Sequence, residues 1–135
     1  MKNLIYDRTQ NDIINNTPKG NYDYNDLNRI ENWCEYLANI LNEYSYKVNV
    51  NVKTNWIIND IPTLIEMERI RNNIKNLKEV YYSFTNVPEN LKLMDIHKAN
   101  DIEKILNEID IFILKMIDEF RKCGTFSCNE TEGLI

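Results

Sequence analysis

Apolar residues recur at three- and four-residue spacing in three long stretches of the chain, and each stretch predicts an amphipathic helix. In the first, Leu27, Ile30, Trp33, Cys34, Leu37, Ile40, Leu41 and Tyr44 form one stripe. That places a helix from about Asn25 to Tyr44, with Asp23 or Asn25 as its cap. The second runs from Leu64 to about Ser83 on a stripe of Met67, Ile70, Ile74, Leu77 and Tyr81. The third opens near Asp95 and continues to Cys123, with Gly124 as its C-terminal stop. Its apolar positions, from Ile102 through Ile105, Leu106, Ile109, Phe112, Ile113, Met116 and Ile117 to Phe120, cover a broad face, roughly 140° wide at about 100° per residue. A face so wide suits a helix packed against two neighbours. Upstream, Thr9 and Asp12 predict a brief helix ending near Asn16, before Thr17-Pro18-Lys19-Gly20 breaks it.

A different period appears between the first two long helices. Lys47-Val48-Asn49-Val50-Asn51-Val52-Lys53 alternates apolar and polar residues strictly, which is a strand pattern in an otherwise helical chain. A lone strand leaves its backbone unpaired. Its partner is Lys2 to Tyr6, giving a minor two-stranded β ribbon, or another subunit; with neither, the segment is an extended crossover. Residues 46–62 can span about 55 Å at about 3.3 Å per residue, enough to return along a helix of about 30 Å. The first two long helices are therefore free to be parallel or antiparallel. Within the same connection Trp56 supplies a large aromatic for the core. Pro62 bars the helix from extending backwards, and Thr63 with Glu66 reads as a capping box.

The expected fold is thus all-α: one domain over residues 1–124, with three long helices and a short N-terminal one, and a flexible tail at 125–135. Composition agrees. The chain has 135 residues, enough for one moderate core, and only three Gly and three Pro, too few for a turn-rich β sandwich. Its many Asn, Ile and Lys residues read as the mark of an AT-rich genome. A net charge of −5 argues against general affinity for nucleic acid or an anionic membrane. The most apolar run, Ile109 to Ile117, is interrupted by Asp110 and Lys115 and is too short to span a bilayer. No segment reads as a signal peptide, so the chain is expected to begin in the cytoplasm.

Candidate chemistry is sparse. His97, the single histidine, stands one turn before Asp101, which reads as a surface i,i+4 pair in preference to an acid/base dyad. Glu66 with Glu68, Asp101 with Glu103, and Glu108 with Asp110 sit at i,i+2, pointing to different helix faces; they read as solvated surface partly neutralised by Lys75, Lys104 and Lys115. Asp118 and Lys122 form another surface pair. Arg69, Arg71, Lys75 and Lys78 make the second helix locally basic, but Glu66, Glu68 and Glu79 interrupt them and no glycine-rich phosphate loop precedes them. Cys34, Cys123 and Cys128 have neither paired-metal nor disulfide spacing; Cys34 lies on the apolar stripe and reads as core. No phosphate loop, dinucleotide fingerprint, nucleophile elbow or zinc spacing occurs, so no catalytic, metal or cofactor site is expected. Ile111 and Leu114 fall outside the stripe of the third helix. They are placed either to receive the Leu4-Ile5-Tyr6 arm or to contact another subunit. With Val48, Val50 and Val52 of the orphan strand, these eight residues form the candidate protein interface.

Several blocks, in order through most of the chain, carry a resemblance. They are Tyr6-Asp7-Arg8-Thr9-Gln10 with Asp12; Tyr24-Asn25-Asp26-Leu27-Asn28-Arg29-Ile30-Glu31; Lys53-Thr54 and Trp56 with Asp60-Ile61-Pro62-Thr63; Glu66-Met67 with Arg69; and Ala99-Asn100-Asp101-Ile102-Glu103-Lys104-Ile105-Leu106. Phe120-Arg121 with Gly124 is similar too. Together these resemble a helical module of tail-associated structural proteins of Firmicutes phages and prophages. Residues 86–98 match less closely. The resemblance implies a non-enzymatic component of a tail or baseplate, assembled in the host cytoplasm and then carried in a virion or tail-like particle. Its implied partners are other tail or baseplate proteins, with a homo-oligomer as an option, and it brings no catalytic residue and no cofactor. That module often follows other tail domains; with Met1 just upstream of the first block, this chain is a stand-alone version or an excised piece. The alternative is a small helical regulator or adaptor that binds a host or phage protein.

Overall fold

The computed structural model describes residues 3–17, 20, 22–80, 85–92 and 94–124. Helix α1 spans Gln10–Ile14, α2 Tyr24–Glu43, α3 Leu64–Val80 and α4 Ile96–Gly124. The fold is all-α, three long helices and a short N-terminal one. Lys2, Tyr81, Ser83, Cys128 and the tail 125–135 lie outside the described residues.

Side chains chosen for the purpose start each helix. Thr9 donates its amide to Asp12 Oδ2 at 2.9 Å ahead of α1. Asp23 accepts the amide of Asn25 at 3.0 Å and donates its own amide to Asp26 at 2.8 Å, opening α2. Thr63 and Glu66 form the expected reciprocal box: Thr63 N donates to Glu66 Oε1 at 3.0 Å and Glu66 N to Thr63 Oγ1 at 3.2 Å. Asp95 accepts the Lys98 amide at 2.7 Å ahead of α4. Each such box satisfies amides that the first helical turn leaves without partners.

All three long helices run parallel. At one end Arg29 of α2 meets Glu103 of α4, and at the other Tyr44 stacks on Phe120 with ring centroids 5.5 Å apart. Arg69 near the start of α3 likewise meets Glu31 near the start of α2. Each long helix packs on the other two. Ile30, Trp33, Leu37 and Leu41 of α2, Ile70, Ile74 and Leu77 of α3, and Ile102, Ile105, Leu106, Ile109 and Ile113 of α4 form one core, nearly all with no accessible surface. Each buried aliphatic of this kind contributes about 1.5–3 kcal/mol.

Parallel helices need long returns. The first return leaves α2 through a left-handed turn at Ser45 (φ 71°), where Ser45 N donates to Asn42 O and Tyr46 N to Leu41 O. It then travels back toward the helix starts in the groove between α2 and α3. Val48 is buried, Val50 and Val52 pack partly buried against the core, and Trp56 is 3% exposed, closing the groove. The alternation of residues 47–53 is therefore an alternation of burial. Among the described residues no strand forms, so the two-stranded ribbon gives way to the extended crossover.

What replaces the missing strand partner is side-chain amides. Asn42 accepts from Val48 N at 3.1 Å and donates to Val48 O at 3.0 Å. Asn73 does the same for Asn51, at 3.1 and 2.7 Å, and Asn28 for Trp56, at 2.8 and 2.9 Å. A primary amide carries a donor and an acceptor side by side. It can therefore grip the N–H and C=O of one extended residue as a neighbouring strand would. These asparagines answer to structure, beyond any bias of the genome. The second return, 85–95, is pinned by longer side chains: Lys78 donates to Thr85 O, Arg71 to Pro88 O, and Lys98 to Asn90. Its Leu91 is buried in the core.

Candidate functional site

Residues 3–8 form an extended arm laid across α2 and α4. Asn3 accepts from the indole of Trp33 at 3.0 Å, Ile5 N donates to Glu103 at 2.9 Å, and Asn100 grips Arg8 N and O, both at 3.0 Å. Arg8 then turns inward. Glu103, wholly buried, accepts four hydrogen bonds: from Ile5 N and Arg29 Nε on one oxygen, and from Arg8 Nη2 (2.6 Å) and Arg29 Nη2 (2.8 Å) on the other. Asp26 completes the cluster, 2.5 Å from Arg29 and 3.5 Å from Arg8. Two guanidiniums thus face two carboxylates. Burial alone would lower the pKa of Arg29, but the bonds and charge of Glu103, then of Asp26, outweigh it and hold the cation firmly protonated. The Tyr22 ring lies under Arg8, 5.5 Å from its guanidinium carbon. Burial, and behind it the charges of Glu103 and Asp26, pushes the Tyr22 phenol well above its ordinary 10.0.

A second cluster pins the first return. Glu31, also fully buried, accepts from Lys53 N at 2.9 Å, from the Trp56 indole at 2.6 Å and from both terminal nitrogens of Arg69. Arg69 reaches on to Asn51 O at 2.6 Å. Cys34 lies buried one turn along α2, where burial and then Glu31 push its thiol well above the ordinary 9.0, leaving it neutral and unreactive. Carboxylates saturated in this way are fastenings. Both oxygens of Glu103 and of Glu31 are occupied by bonds within the fold. Among the described residues every buried side-chain nitrogen or oxygen has a partner, and no group of three His, Cys, Asp or Glu side chains is placed to hold a metal ion.

For two of the three acidic pairs the structure overturns the reading as solvated surface. Glu103 and Asp110 are buried, whereas Asp101, Glu66 and Glu108 are half-buried and Glu68 is exposed. Glu108 is occupied as well, accepting from Thr85 N and Oγ1. The spacing did put each pair on two faces, and for two pairs one of those faces is interior. Asp118 and Lys122 do form the expected exposed surface pair. The basic residues of α3 are fasteners too: Arg69, Arg71 and Lys78 all hold backbone carbonyls of the returns.

The candidate interface residues divide. Val48, Val50 and Val52 belong to the bundle, because the return turns them toward the core between α2 and α3. Leu4 packs partly buried against the same core and Ile5 is half-buried, while Tyr6 is exposed. The arm is seated at Trp33, Asn100 and Glu103, at least eight residues along α4 from Ile111 and Leu114, which remain exposed.

Because the helices are parallel, their three N-termini gather at one pole. There a cleft of about 600 Å³ opens among Ile13 of α1, Tyr24 and Leu27 of α2, Met67 of α3 and Ala99 of α4. His97 is exposed and borders it, beside the helix-capping residues Asp23 and Asp95. Asp60 and Pro62 form another side. From that side projects a ledge that the periodicity did not single out: Ile57, Ile58, Ile61, Leu64 and Ile65, exposed to between 59 and 85%. Its frame is firm. Trp56 is gripped from behind by Asn28 and Glu31, Asp60 closes a tight turn on Ile57, and the Thr63–Glu66 box starts α3. Comparison with protein-family models, with curated proteins and with solved structures finds no match to this chain.

Proposed function

We propose that this protein is a non-enzymatic structural component of a phage or prophage tail, baseplate or tail-like particle, acting through protein–protein contacts. One observation carries the contact-making part of the reading. Arg8, Asp26, Arg29, Glu103, Glu31 and Arg69 are committed to holding the fold, while five large aliphatic side chains project from an exposed ledge. Apolar area on that scale, on the order of 600 Å², matches the largest patch of a typical monomer, and such patches mark interaction sites. The tail assignment rests on the resemblance. Its blocks contain Arg8, Asp26, Arg29 and Glu103 of one buried cluster, and Glu31, Trp56 and Arg69 of the other. What the chain shares with those tail proteins is on this account a scaffold, which suits a structural role.

Mass spectrometry of purified particles from a producing strain tests the proposal. The protein is expected in the particle at a fixed ratio to the other tail proteins. Presence in the infected cytoplasm with absence from particles refutes it and leaves the regulator.

A further inference from the structure

We infer that the ledge is a self-association surface, on which two copies of this chain meet face to face about a two-fold axis. The inference deepens the assembly reading and rests on it for its purpose, but the geometry supplies the surface. Area comes first. Ile57, Ile58, Ile61, Leu64 and Ile65 present on the order of 600 Å² of aliphatic surface per copy, most of the roughly 800 Å² that each partner buries in a standard interface. Asn59, Pro62 and Thr63 lie among them and extend the same surface.

Charge comes second. Asp60 lies 3.8 Å from Lys53 and accepts the amide of Ile57, and Glu66 accepts the amide of Thr63. The ionised groups at the ledge are thus turned to its own backbone or to each other. A charged partner finds little to pair with there, and an identical surface meets little repulsion. Self-complementary contact also suits an apolar patch, since a two-fold axis places the same residues on both sides.

Rigidity is the third argument. Loop residues usually lose conformational freedom on binding, which weakens the contact they make. Here the ledge is bounded by Trp56, buried and hydrogen-bonded through both its backbone and its indole, and by the capping box of α3. The aliphatic side chains are held outward by a frame that cannot fold them into the core, so little ordering remains for association to overcome.

Sedimentation velocity and equilibrium on the full chain test this. At about 100 µM, above the micromolar limit for interfaces of this size, the wild type should sediment at twice the chain's 16.1 kDa. The dimer should persist as salt is raised. Ile61→Asp with Ile65→Asp should weaken it at least ~100-fold while leaving the helical circular dichroism unchanged. The milder Ile61→Ser with Ile65→Ser guards against a folding artefact. Ile111→Asp with Leu114→Asp, on exposed positions of α4, should leave the dimer intact. A wild type that stays monomeric, a dimer indifferent to the ledge variants, or open-ended growth past two copies overturns the inference. A monomer that still enters particles sinks the dimer and spares the assembly role; a dimer missing from particles does the reverse.

Discussion

Replacing Glu103 by Gln changes one atom of the buried cluster and should destabilise the protein by about 3–5 kcal/mol. The size follows from the four bonds that Glu103 accepts, two on each oxygen. Whichever side the new amide nitrogen takes, it turns a donor toward two donors. Two charge-assisted bonds are then lost, at roughly 1.5–3 kcal/mol each. The charge count gives a similar figure, because Asp26 alone remains to balance Arg8 and Arg29. Of a total stability of about 5–15 kcal/mol, this is a large share, and it should lower the melting temperature by roughly 12–20 °C.

A double-mutant cycle makes the prediction sharper. Arg8→Met alone leaves the cluster one charge negative and removes the guanidinium's bonds to Ile5 O, Asn100 and Glu103, while the backbone bonds that seat the arm remain. Made together with Glu103→Gln, it leaves Arg29 against Asp26, one cation and one anion. The double variant should therefore be about 2 kcal/mol less destabilised than the sum of the two single variants. Urea unfolding, followed by far-ultraviolet circular dichroism, measures all four corners without adding salt. The buried tryptophans Trp33 and Trp56 provide a second probe. A cost below about 1 kcal/mol for Glu103→Gln, or simple additivity of the pair, would show that the cluster does not hold the arm by charge.

Two further outcomes follow from the same structure. Asn73→Leu removes both halves of the grip on Asn51, so a loss of about 1–3 kcal/mol is expected in urea, with faster hydrogen exchange at the Asn51 amide; a neutral or stabilising result would mean that the amide is no fastening. Tyr22→Phe tests alkaline stability. The folded protein raises the Tyr22 pKa, so the stability this group contributes is fully present below its unfolded value near 10.0 and is lost as pH rises above that toward the folded value. Wild type should lose stability over that range more steeply than Tyr22→Phe, and parallel curves for the two proteins would discount the burial of the phenol.

How much of this was legible depended on how far apart the cooperating residues stand. Helices α2, α3 and α4 are written locally, in stripes and caps only three or four residues apart, and so are Thr63 with Glu66 and the outlying Ile111 and Leu114. Residues 47–53 were legible as extended, although their valines, read as an interface, turn into the bundle; period-two alternation records burial and is silent on what covers it and on what pairs with the backbone. That partner proved to be Asn42 and Asn73, on two different helices. The burial of Glu103 depends on Arg8, which lies 95 positions away, and no local window contains both. A signal did exist: Leu27, Glu31, Cys34 and Ala38 share one buried row of α2, as do Ala99, Glu103, Leu106 and Asp110 in α4. An acid in such a row is either an error of the pattern or a fastening point. The ledge was hidden for the opposite reason, since a run of isoleucines reads as core until the fold shows that none of the described residues covers it.

Parallel packing is the fact from which the remaining features follow. Three aligned helices bring like ends of their dipoles together, and the arrangement is eased by Asp23, Asp26, Glu66 and Asp95 at the common start and by Lys78, Arg121 and Lys122 in the last turns of α3 and α4. It also requires two returns, each roughly the length of the bundle. Without a sheet, the backbone polar groups of those returns need partners from the helices themselves. Asparagines and long basic side chains supply them, which accounts for positions that look chemically active in the sequence and are structural in the fold. The ledge alone has no such account. Its turn is set by Asp60 and Pro62 and its helix start by Thr63 and Glu66. Polar residues at positions 57, 58, 61, 64 and 65 would cost the isolated chain only about 0.5 kcal/mol or less apiece. The fold does not ask for isoleucine and leucine at those five places, and the proposed contact between two copies would account for their apolar character.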